Sequence, residues 1–150
     1  MNFFRTAINY LSFVFAGLTL LVAATAMQLW PASWWFEVDS VRVLDSQVGS
    51  PVVMVVNRTI NRDFVGDWTA SIRRLENGKW VPYCTATGST NYQVDSELPD
   101  PLTLKWWTAP DCHPLEAGKY IMRTTWRINL TGFLPDKDVQ ATSNIFIVSP

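Results

Sequence analysis

From Ala7 to Trp30 the chain carries no charged side chain. A helix rises about 1.5 Å per residue, so roughly 20 such residues cross the hydrocarbon core of a bilayer. The run therefore predicts one transmembrane helix at about residues 7–30, centred on Tyr10–Ala24. Asn9 and Gln28 fall near its two ends, where the interface lowers the cost of an amide. Trp30, Trp34, Trp35 and Phe36 follow as an aromatic cluster, the expected anchor at headgroup level.

Two other readings compete for this segment. Ala24-Thr25-Ala26 is an acceptable small-x-small site, so a signal peptide cleaved after Ala26 is one. A core helix buried within the domain is the other. The length of the run, the thin basic region before it and the aromatic belt after it favour a retained anchor.

Charge asymmetry sets the orientation. Arg5 is the only charged side chain in residues 1–36, whereas the remainder carries 11 Lys and Arg against 13 Asp and Glu. Positive-inside logic holds Arg5 in the cytoplasm and sends everything from Glu37 onward outside. The expected address is the cytoplasmic membrane, single-pass, with the C-terminal part periplasmic or extracellular. Small residues at Ala16-Gly17 and Ala23–Ala26 would let another helix approach closely. No basic patch emerges, which argues against a nucleic-acid partner.

Residues 36–150 read as a second unit. Apolar residues make up 48% of the chain, enough for a packed core. Period-two alternation dominates here and helical periodicity is nearly absent. Seven strands are predicted: Phe36–Leu44, Pro51–Ile60, Gly66–Leu75, Trp80–Thr87, Leu102–Thr108, Lys119–Leu130 and Val139–Val148. The run Val52–Val56 suggests burial on both faces. Asn77-Gly78 supplies the positive φ angles of a type I′ hairpin turn. Pro82 lacks an N–H and belongs on an edge or at a bulge. Polar loops are expected at Gly88–Pro101 and Ala109–Gly118, and a turn at Thr131–Asp136. Seven turn-connected strands in this length make an all-β, antiparallel sandwich.

Leu115-Glu116-Ala117-Gly118-Lys119-Tyr120 leads into the sixth strand and resembles the tyrosine corner of immunoglobulin-like and fibronectin type III-like sandwiches. The resemblance implies an inward tyrosine ring whose hydroxyl bonds to upstream backbone. Met122 stands where antibody-type domains have cysteine, so their inter-sheet disulfide is missing. The resemblance implies a fold used for binding and spacing, and it carries over no functional residue.

Cys84 and Cys112 are the two cysteines. A bridge between them would staple the fifth strand and its preceding loop to the sheet, and it suits an oxidising compartment; two free thiols are the alternative. Asp111-Cys112-His113 offers too few ligands for a zinc site, and His113 is the only histidine available to a catalytic triad. No catalytic residue, metal or cofactor is expected, and the chain is not expected to be an enzyme.

Eight tryptophans remain the most distinctive resource. Trp68 and Trp126 alternate into the core, which leaves Trp80, Trp106 and Trp107 as the candidate binding surface. Strand neighbours point to opposite faces, so one of Trp106 and Trp107 should leave the core. The sequence favours a membrane-anchored binding or assembly module working by protein–protein contact. Glycan or envelope-polymer binding through Trp107 and a structural subunit of a membrane complex are the alternatives. Asn57-Arg58-Thr59 and Asn129-Leu130-Thr131 match the N-glycosylation pattern.

Overall fold

The computed structural model describes residues 2–108, 110–130 and 135–150, without the side chains of 2–11, 27, 28 and 111. The side chains of Arg5, Asn9, Gln28 and Asp111 and most of the Thr131–Asp136 turn therefore lie outside the described residues.

Helix α1 spans Asn2–Gln28. Its described side chains, residues 12–26, are exposed throughout, Phe13 at 79% and Leu20 at 72%. That excludes this stretch from the domain core and removes the buried-helix reading. Among the described residues no helix is long and apolar enough to cross a membrane.

Among the described residues eight strands follow: β1 (Phe36–Val43), β2 (Ser46–Gln47), β3 (Met54–Ile60), β4 (Phe64–Glu76), β5 (Lys79–Tyr92), β6 (Gly118–Asn129), β7 (Lys137–Thr142) and β8 (Phe146–Ser149). β1 and β3 pair antiparallel as a small sheet. The larger sheet runs β2-β8-β6-β4-β5, with β7 also on β6. Together β7 and β8 line one edge of β6, interrupted by Ser143–Ile145. The single strand expected over Val139–Val148 is thus two, because Ser143 breaks out of line. Its hydroxyl accepts from the Met122 N–H at 3.0 Å, and its own N–H reaches the Met122 carbonyl. The two-residue β2 is parallel to β8 and has no sequence signature.

Both sheets turn their apolar faces into one core. Phe36, Val43 and Met54 come from the small sheet; Ala70, Ile72, Tyr120, Met122, Trp126, Ile128, Phe146 and Val148 come from the large one. In β6 the alternation predicts the buried face correctly, from Tyr120 to Ile128. The burial on both faces expected of Val52–Val56 does not hold: Val52 and Met54 are buried but Val55 is 50% exposed, since β3 has solvent on its outer face. Asn144 ties the layers at one end. Its amide accepts from the Val43 N–H at 2.8 Å and donates to the Val43 carbonyl at 2.9 Å, standing in for a peptide group of a missing strand.

The β4–β5 hairpin turns at Asn77-Gly78, with φ of 49° and 77°. β5 is an edge strand, and its register against β4 shifts where Ile72 faces Cys84 and Arg73 faces Pro82, a bulge at the expected proline. It extends beyond Thr87 to Tyr92, so the polar loop begins later than predicted.

The fifth predicted strand is the largest correction. Leu102–Leu104 does run beside Val52–Met54, with Met54 N–H on the Leu102 carbonyl and Leu104 N–H on the Val52 carbonyl. The chain then coils into one helical turn, α2 (Leu104–Trp107), with Thr103 as its N-cap. The aromatic belt also needs correcting. Trp35 and Phe36 are 7% and 1% exposed and belong to the core. Trp30 is half-buried against the core and Trp34 is exposed beside it, their rings 4.9 Å apart and tilted by 30°, with Arg62 over the Trp34 ring at 5.5 Å.

Tyr120 is wholly buried, and its hydroxyl donates to the Glu116 carbonyl at 2.8 Å. The upstream hydroxyl-to-backbone bond expected of this motif is therefore made. Replacing Tyr120 with Phe leaves that carbonyl without its donor and should cost about 1 kcal/mol of stability. Urea denaturation checks this; an unchanged midpoint would show that the bond contributes nothing.

Candidate functional site: a tryptophan-lined cleft

Five aromatic rings meet where the open edges of the two sheets face each other. Trp68 of β4 and Trp126 of β6 are register partners on the inner face of the large sheet. Gly88 faces Trp68 from β5. A Cβ at residue 88 would lie 2.6 Å from Cζ2 of Trp68, so the indole lies flat against the glycine and any side chain there would displace it. The Trp68 Nε1–H is 3.3 Å from the Thr90 hydroxyl. Tyr92 ends β5, stacked on Phe64 with ring centroids 4.7 Å apart.

The crossover from β5 to β6 closes the cleft. A helix turns about 100° per residue, so the two adjacent tryptophans of α2 diverge. Trp107 is 7% exposed, with its Nε1–H on the Thr124 hydroxyl at 2.9 Å and its ring edge-to-face with Trp126 at 5.9 Å. Trp106 is 59% exposed beside it. One of the pair does leave the core, and it is Trp106; the exposure expected of Trp107 does not hold. Cys84 and Cys112 are disulfide-bonded, which clamps the short 3-10 turn after α2 to β5. Closing a loop of this length restrains the unfolded chain by about 3–4 kcal/mol in the entropy model.

The result is a cleft of about 280 Å³, floored by Trp68, Trp126 and Thr124 and walled by Tyr92, Trp106 and Trp107, with Thr90, Asn91, Ser96 and Glu97 completing the lining. Arg58 of β3 reaches it from the opposite sheet, its guanidinium 5.7 Å over the Tyr92 ring. Burial lowers the Arg58 pKa, opposed by the Tyr92 hydroxyl. Burial likewise raises the Tyr92 pKa, opposed first by Arg58 and then by hydrogen bonding from Trp126 and Thr90.

Of the candidate surface, the structure brings Trp106 and Trp107 together and leaves Trp80 apart. Trp80 pairs with Leu75 at the hairpin end. It lies about 25 Å from Gly88 along β5 at roughly 3.3 Å per residue. Trp68, Tyr92, Trp126 and Arg58 were not foreseen as site residues. The signal for the first three is the convergence of aromatics on one hairpin and β6, which needs the register to be seen; Arg58 has no sequence signal.

Among the described residues no group of three or more His, Cys, Asp and Glu side chains is placed to hold a metal ion. His113 lines a separate cavity of about 420 Å³ with Val52, Thr103 and Leu115. Its Nε2 is 3.0 Å from the Thr108 hydroxyl, which itself donates to the Leu104 carbonyl. Asn57 is exposed on β3, whereas the Asn129 amide donates to Asp67 at 3.0 Å and Thr131 lies outside the described residues.

Comparison with protein-family models, with characterised proteins and with solved structures gives no match to this chain.

Burial lowers the His113 pKa from its ordinary value of 6.5. The folded state thus prefers neutral imidazole, and stability should be full above about pH 6.5 and fall as the pH drops below it, because the unfolded chain takes the proton first. Thermal melts of wild type and His113→Gln across pH 4.5–8 check the sign. Parallel curves would remove His113 from the acid response.

Proposed function

We propose that the chain is a membrane-tethered, extracytoplasmic binding module, not an enzyme, whose ligand enters the tryptophan-lined cleft. The observation that carries this reading is the cleft itself. It joins aromatic faces from both β4–β6 and the crossover with a few polar groups at its mouth, the usual composition of a ligand site. Its volume is at the small end for such sites, which suits a short stretch or terminus of a longer molecule.

Sugar rings fit this chemistry. Their C–H faces lie on indole, and their hydroxyls would find Thr90, Asn91 and Ser96. Envelope polysaccharide is therefore the favoured ligand. The bond from Tyr120 to Glu116 supports an immunoglobulin-like arrangement of the two sheets, a scaffold suited to such binding.

The tether rests on the uncharged Ala7–Trp30 run and on the Trp30–Trp34 ring pair at its end. Membrane lipid is then the partner of α1, and confinement near the surface raises the module's effective concentration towards envelope ligands. The disulfide suits an oxidising compartment outside the cytoplasm.

Protein contact is a second reading, favoured by apolar residues on the outer face of β6 and β8. Ile147 is 40% exposed opposite Lys119, and Ile145 is 55% exposed beside it. Working as a subunit of a membrane complex would use the same face.

Binding of the full chain to immobilised envelope polysaccharides should fall about tenfold or more in Trp106→Ala, since stacked aromatics are typical hot spots. The melting temperature should barely move, because Trp106 is exposed. Binding unchanged in this variant, with a co-purifying protein lost in Ile147→Lys, would favour protein contact instead. Alkaline carbonate extraction should leave the chain in the membrane pellet with the segment before Met27 retained. Release into the supernatant, or an N-terminus at Met27, would contradict the tether.

A further inference from the structure

Two arginines of this domain lie over tyrosine rings, and their surroundings differ in one respect. The Arg74 guanidinium is 5.9 Å over Tyr120. It pairs with Glu116 at 2.6 Å and donates to the Ala117 carbonyl at 2.8 Å. The Glu116 hydrogen bond raises its pKa. The Arg58 guanidinium is 5.7 Å over Tyr92 in the same fashion. It is half-buried, yet among the described residues no carboxylate pairs with it and no side-chain hydrogen bond satisfies it. Glu97 shares the cleft lining without coming within ion-pair distance.

A guanidinium partly shielded from water without an anion costs stability. The Tyr92 ring backs the guanidinium, which restricts its rotation and lowers the cost of fixing it on a ligand. Carboxylate and phosphate are the anions that the guanidinium fork matches bidentately, and with Glu97 in the same lining the singly charged carboxylate is the better fit. Around it stand the rings of Trp68, Trp106 and Trp107, on which a sugar can stack.

We infer that the cleft selects an acidic saccharide, a sugar ring bearing a carboxylate that Arg58 grips while the indoles hold the ring. This rests on the cleft being the ligand site, and it assigns Arg58 as the specificity-determining residue. Glu97, exposed at the mouth, disfavours a ligand with a second negative charge on that side.

The test uses the full chain in detergent against pairs of oligosaccharides: gluco-, galacto- and manno-configured uronic acid oligomers, each beside its methyl ester. The ester keeps the ring and removes the charge. One acid should bind about tenfold or more tighter than its ester, in line with a charge-assisted pair. Arg58→Gln should bring the two within about twofold, and Arg58→Lys should keep part of the preference. Arg58→Gln should melt at or above the wild-type temperature, since it removes a desolvated charge. Equal binding of acid and ester, lost in Trp106→Ala, would overturn the acidic selection and leave the cleft as the ligand site. No binding of either form in any pair would overturn both.

Discussion

Trp126 is where the core and the cleft become one structure. It is 1% exposed, packed edge-on against Phe36 of the small sheet at 5.2 Å and against Trp107 of the crossover at 5.9 Å. The same indole forms part of the cleft floor. Its packing therefore locks the two sheets together and fixes the surface a ligand would meet. Aromatic pairs of this kind contribute about 0.5–1.5 kcal/mol beyond their buried area. A site resting on the largest fully buried side chain of the core is held in shape before any ligand arrives, which lowers the cost of binding.

The crossover turns that floor into a cleft. It leaves β5 at Tyr92, runs beside β3 through Leu102–Leu104, coils once as α2 and returns to β5 through the Cys84–Cys112 bridge. Each attachment uses a different interaction: backbone pairing, a covalent bond and the Trp107 hydrogen bond to Thr124, while the Thr103 cap fixes α2 from within. A segment with little regular structure of its own thereby becomes a fixed wall. Among the described residues no fully buried side-chain polar atom lacks a hydrogen-bond partner.

Much of the large sheet is legible in the sequence because local chemistry decides it. Asn77-Gly78 dictates the hairpin turn, the alternation of Tyr120–Ile128 dictates the buried face, and Tyr120 finds its upstream carbonyl within four residues. The cleft depends on non-local choices. Counted from the turn, where Glu76 faces Lys79, an unbroken register would bring Thr87 opposite Trp68. The bulge near Pro82 brings Gly88 there instead, and with it the space for the indole. Leu102–Trp107 looks like a strand by composition, yet the Thr103 cap tips its second half into a helical turn and inverts which tryptophan is exposed. Trp35 and Phe36 look like a membrane belt until the sheets close over them. Arg58 is one charged residue among many until Tyr92 arrives beneath it.

Titrating the indole-labelled domain with a bound saccharide while recording its Nε1–H resonances tests the central claim most directly, since each tryptophan reports its own surroundings. The account predicts that the resonances of Trp68, Trp106, Trp107 and Trp126 move together on one binding curve while Trp80 on the far part of β5 stays still. Movement of Trp80 with the cleft tryptophans unmoved would contradict it.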